Sequence, residues 1–136
     1  MSNKQKHLEM IQGIVNRLST NSFLLKGWSV VLVSALFALA AKDTKVAFVY
    51  LAYFPALAFW VLDGFFLWQE RLYRQLYDKV RSQTEDVVDF SMDASSISES
   101  TKPWLEVCFS KTLLIFHGTI IVTIILVMFI MIAYCN

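Results

Sequence analysis

Three stretches of this chain are too apolar and too long to be covered by the remainder of it: Phe23 to Ala41, Val46 to Trp68 and Thr112 to Tyr134. A helix crosses a hydrocarbon core of roughly 30 Å with about 20 apolar residues, and each stretch reaches that length. Lys26, Asp63 and His117 are the only interruptions, one per stretch. The first two stretches are separated by "KDTK" (Lys42 to Lys45), which leaves room only for an antiparallel hairpin. A soluble domain of 136 residues does not carry 57% hydrophobic residues and a mean hydropathy of +0.53, because its own exterior needs polar cover. "ALAA" (Ala38 to Ala41) resembles a secretory cleavage site, but some 22 residues of patterned sequence precede the apolar run. That is too long and too organised for an n-region, so the first stretch is read as a span.

Lysine and arginine set the expected direction. Lys4, Lys6, Arg17 and Lys26 precede or begin span one, and Arg71, Arg74, Lys79, Arg81, Lys102 and Lys111 lie between spans two and three. The other side carries only Lys42 and Lys45. The N-terminus and the central segment are therefore expected in the cytoplasm and Asn136 outside. Trp28, Trp68 and Trp104 then anchor one interface and Tyr50, Tyr53 and Tyr134 the other. On this topology Cys108 and Cys135 face opposite sides and cannot pair, so both read as structural.

Four segments result: 1–22, a cytoplasmic amphipathic helix; 23–68, the hairpin of spans 23–41 and 46–68; 69–111, a cytoplasmic helix, linker and pre-span segment; and 112–136, the third span. The fold class is all-α membrane protein with three transmembrane helices. In the first segment Leu8, Ile11, Val15 and Leu18 recur at helical spacing, and Asn21 and Ser22 read as an N-cap for span one. Its apolar stripe suits either the membrane surface or packing against neighbouring copies. Beyond Trp68 a seam of Leu72, Leu76 and Val80, flanked by Tyr73 and Tyr77, extends span two as a helix to about Ser82. From there to Thr101 no basic residue occurs, while Glu85, Asp86, Asp89, Asp93 and Glu99 stand among serines, as in a solvated linker. Pro103 suits the first turn of a helix capped by Thr101 or Lys102.

An ionisable group in hydrocarbon costs about 2.5–3.5 kcal/mol even on the lenient insertion scale, so each one is a functional candidate. Counted from the inner ends of their spans, Lys26, Asp63 and His117 all lie roughly 5–8 Å deep. One expectation is a polar layer in which Lys26 pairs with Asp63 beside His117. The other treats them separately: Lys26 snorkels, Asp63 marks a span end and His117 bonds a backbone carbonyl.

Gly27, Ser34 and Ala38 share a face of span one, the small-residue pattern that lets membrane helices approach closely. Thr119 and Thr123 share a face of span three, suited either to a pore wall or to bonding their own backbone. Three helices of one protomer do not enclose water, so a pore requires several copies. Arg71, Arg74 and Arg81 beside tyrosines are candidates for a cytoplasmic nucleotide or protein partner, although positive-inside charge also explains them. No nucleophile–base pair, metal-spaced His/Cys set or phosphate loop is present, so neither an enzyme nor a metal or organic cofactor is expected.

The phrases "KHLEMIQGIVNRLSTNSFLLKGWSVVLVSALFALAAKD", "AYFPALAFWVLDGFFLWQERLYRQLYDKV" and "DFSMD…PWLEVCFSKTLL" resemble the RipA-like family of small bacterial inner-membrane proteins, in the same order over most of the chain. The resemblance implies a homo-oligomer, an octamer, in the bacterial inner membrane. It also implies likeness to the channel parts of anti-phage effectors that answer a nucleotide signal. The function expected is a gated pore or membrane-perturbing effector, the alternative a non-conducting scaffold that acts through its cytoplasmic helices. Membrane lipid and further copies of the chain are the expected partners.

Overall fold

A computed structural model of the chain describes residues 2–84, 89–94 and 103–135, with the side chain of Cys135 left aside. The described residues are helical with no strand, and three of the helices are long and apolar enough to cross a membrane. The first, α1 (Asn3–Asp43), runs for 41 residues, roughly 60 Å. A capping box starts it: the Ser2 hydroxyl accepts from the Gln5 N–H at 3.2 Å, and the Gln5 side chain accepts from the Ser2 N–H at 3.2 Å. Its far end closes on Thr44, whose left-handed backbone (φ 54°) returns an N–H to the Ala40 carbonyl.

The N-cap expected at Asn21 and Ser22 is therefore absent, because the helix passes through both without interruption. The reason is on the opposite helix. α2 (Ala47–Ser82) also extends past its apolar run, for 36 residues in all, and gives the first turns of α1 a surface to cover. Ile11 and Val15 pack with Leu76 and Val80, flanked by Leu8, Tyr73, Tyr77 and Met92. The seam of Leu72, Leu76 and Val80 is buried as its spacing implies. The stripe of segment 1–22 is thus packed against α2 of the same chain.

The buried residues of α1 are His7, Ile11, Val15, Ser22, Ser29, Val33 and Ala40, separated by four or seven. That period keeps one narrow seam facing a neighbour along the whole length. Towards the hairpin loop, Val33, Ala40, Val49, Ala52, Ala56 and Ile124 form a second apolar cluster in which α4 (Lys111–Cys135) joins the hairpin. Large apolar side chains point outward, among them Phe23, Phe54 and Phe129 at 74, 78 and 61% exposure. Such a surface suits lipid rather than water.

The short helix α3 (Trp104–Cys108) lies before α4, with a break at Phe109 and Ser110. Pro103 takes the N-cap position instead of the first turn, so the helix starts later than expected, and Thr101 and Lys102 lie outside the described residues. Gly64 is what admits α3. A Cβ built there would overlap the Cys108 sulfur and lie 3.3 Å from the Cys108 Cα. Of the acidic linker, Glu85, Asp86 and Glu99 are outside the described residues, and 89–94 carries no regular structure. Phe90 adopts a left-handed backbone (φ 57°) and the Ser91 carbonyl meets His7 Nε2 at 2.7 Å, pinning this piece to the start of α1.

Candidate functional site

Between the two apolar clusters, three helices meet at one carboxylate. Asp63 of α2 is 0% exposed. Its Oδ2 lies 2.6 Å from Lys26 Nζ of α1 and 2.8 Å from His117 Nε2 of α4. Its Oδ1 accepts from the Ser22 hydroxyl, which in turn accepts from Lys26 Nζ at 2.9 Å. Ser22 and Lys26 stand one turn apart on α1, so a single helix face supplies both. The geometry places Lys26, Asp63 and His117 in contact within one chain rather than as separate groups.

Aromatic rings enclose the cluster. Trp60, one turn from Asp63 on α2, stacks on His117 with ring centroids 5.8 Å apart and planes 8° apart. Its indole N–H donates to the Cys108 carbonyl at 2.7 Å, which ties the end of α3 to α2. Phe116 meets His117 edge-on at 5.1 Å and lies 5.9 Å beneath Lys26 Nζ. Cation and carboxylate are thus paired, and the cation is also held over a ring face.

His117 is 1% exposed, and its Nδ1 has no hydrogen-bond partner. A bare lone pair in apolar surroundings costs less than a buried N–H without an acceptor. The arrangement therefore favours the neutral ring that donates from Nε2 to Asp63. In this state Lys26 supplies the positive charge and Asp63 the negative, so the cluster is neutral overall. Removal of Lys26 or Asp63 alone leaves the other's charge unpaired in a medium that solvates it poorly.

The remaining candidates stand apart from this cluster. Gly27, Ser34 and Ala38 are exposed on α1, and a Cβ added at Gly27 would meet nothing within 4 Å. Thr119 and Thr123 are also exposed, but their hydroxyls donate to the carbonyls of Ile115 (2.6 Å) and Thr119 (2.8 Å). Arg74 is held by Glu70 of its own helix at 2.8 Å and Arg81 by Asp78 at 3.5 Å, while Arg71 lines a groove beside α3. Among the described residues the three arginines therefore have different surroundings: two pair with carboxylates of their own helix and one lines the groove. Among the described residues no three His, Cys, Asp or Glu side chains are grouped to hold a metal.

Sequence reasoning missed Ser22, Trp60 and Gly64. Ser22 carried a usable signal, since it precedes Lys26 by one turn and continues the four-and-seven spacing of the seam. Trp60 and Gly64 carried none, because their roles depend on where α3 crosses α2. Comparison of the chain with protein-family models, curated proteins and solved structures finds no match in any of the three.

Proposed function

We propose that the chain is a self-associating inner-membrane protein that forms a gated pore or perturbs the membrane, its Lys26–Asp63–His117 cluster acting as a latch. The carrying observation is how each protomer divides its residues. One ionisable group from each span joins a cluster whose Asp63 and His117 are buried and whose Lys26 is partly buried, while the Gly27–Ser34–Ala38 face of α1 stays uncovered. A small-residue face gives close helix approach where lipid supplies no hydrophobic drive, so it is the surface on which copies pack. The latch then joins α4 to the hairpin, and its opening is the motion that would move α4 within an assembly. Basic residues at the N-terminus and in the central segment support a cytoplasmic placement of both. The resemblance to the RipA-like family supports an octamer and a part in anti-phage defence.

Burial of Asp63 and His117 inside one chain supports a part in gating over a selectivity ring for this cluster. One observation favours the second reading, a non-conducting scaffold acting through its cytoplasmic helices: the exposed threonine hydroxyls of α4 are spent on their own backbone and offer little to water. Planar-bilayer recording of the purified protein separates the two. Unitary current steps that change in open probability with Asp63→Asn are expected for the pore. Silence at every voltage, with particle images showing a lipid-filled axis, would leave the scaffold.

A further inference from the structure

Two cavities meet beside α3 and share Leu105 and Phe109. The first is an open groove of about 610 Å³ whose polar lining comes from Arg71, Glu106, Ser110 and Lys111. The second, about 220 Å³, is lined by Leu57, Trp60, Val61, Trp104 and Cys108 with those two shared residues, and its surface is wholly apolar. Along α2, Val61 and Leu57 stand ten and fourteen residues from Arg71, roughly 15 and 21 Å. Half a hydrocarbon core is about 15 Å, so Val61 lies about one acyl-chain length along α2 from Arg71, and Leu57 somewhat further. Ser110 Oγ is buried without a hydrogen-bond partner in the lining of the charged groove.

From this juxtaposition we propose that the α2–α3 crossing binds one anionic phospholipid, its phosphate on Arg71, Lys111 and the Ser110 hydroxyl and one acyl chain along Val61 and Leu57. The guanidinium offers a planar pair of donors that matches phosphate oxygens, and the ammonium adds a point charge. Glu106 faces the same groove, so two cations and one carboxylate leave a single net positive charge. That balance matches a headgroup carrying one net negative charge, as in phosphatidylglycerol, better than a zwitterionic one. Trp104 lines the apolar cavity, and an indole commonly settles between headgroup and hydrocarbon. The site rests on reading α1, α2 and α4 as membrane spans and is independent of whether the assembly conducts.

Native mass spectrometry of the full chain, incubated in detergent with phosphatidylglycerol or phosphatidylethanolamine, tests the site. Phosphatidylglycerol should be retained in preference, and Arg71→Gln or Lys111→Gln should each weaken retention about fivefold. Glu106→Gln should strengthen it, which keeps the test decisive if an arginine or lysine variant fails to fold. Val61→Trp, which fills the apolar groove, should lower retention with the cations intact. Equal retention of both lipids, no response to the charge variants, or displacement by inorganic phosphate alone would overturn the proposal. Alkaline carbonate extraction of membranes tests the spans separately: release of the protein into the soluble fraction would refute the membrane reading itself.

Discussion

Asp63→Asn probes the central contact because it changes charge with almost no change in shape. The carboxylate is fully buried and takes Lys26, Ser22 and His117 together. Removing one partner of a fully buried ion pair costs about 3–5 kcal/mol. Two features lower that figure here. The Lys26 side chain keeps 21% exposure and can retract towards the interface, and asparagine retains an acceptor for Ser22. Hydrogen bonds between membrane helices average about 0.6 kcal/mol, so the neutral contacts add little. A loss of about 2–3 kcal/mol is expected for Asp63→Asn, and about 2 kcal/mol for Lys26→Met, which leaves the carboxylate only Ser22 and His117. The double variant holds no unpaired charge and should lose less than the sum of the singles by at least about 1 kcal/mol. Reversible unfolding in mixed micelles, followed by helical circular dichroism, measures all four proteins. Additivity within about 0.5 kcal/mol would refute the pairing.

Three further outcomes test the frame around that contact. Gly64→Ala should cost about 1–3 kcal/mol through overlap with Cys108, and part of the loss should return in a Cys108→Ala background; equal losses in both would show that α3 does not cross there. Burial, and secondarily the Asp63 carboxylate, pushes the Cys108 thiol above the usual thiol range. The reactive thiolate therefore appears at higher pH than in a free cysteine, so maleimide labelling in a Cys135→Ser background should be slow at neutral pH and accelerate in the alkaline range. Asp63→Asn should move that rise to lower pH, and labelling at the free-cysteine rate at neutral pH would contradict the burial. Ile11→Ala should destabilise the α1–α2 contact by about 2 kcal/mol or more. Hydrogen exchange should then rise together in 3–18 and 72–82 but not in 49–60, and a change confined to α1 would show that the two segments are not packed.

Apolar run length and helical period alone determined much of this protein. Twenty apolar residues in a row have one stable answer in lipid, since backbone groups must be satisfied within the segment, and α2 does continue to Ser82 along its Leu72–Leu76–Val80 seam. That Lys26, Asp63 and His117 share one level along the helices was also legible, because rise per residue converts position into height, and their side chains do meet. Azimuth was not. Whether three groups at one height touch depends on how each helix is rotated about its axis, and no local pattern states that. Ser22 shows the consequence: its sequence context reads as a cap, yet the extension of α2 keeps α1 unbroken and turns the hydroxyl onto Asp63. Trp60 and Gly64 acquired their roles only from the crossing of α3, which brings the Cys108 carbonyl to one and the Cys108 sulfur to the other. Sequence thus determined which long helices exist and that their polar groups share a level, whereas tertiary packing decided which faces meet, because rotation about a helix axis is set by contacts distant in the chain.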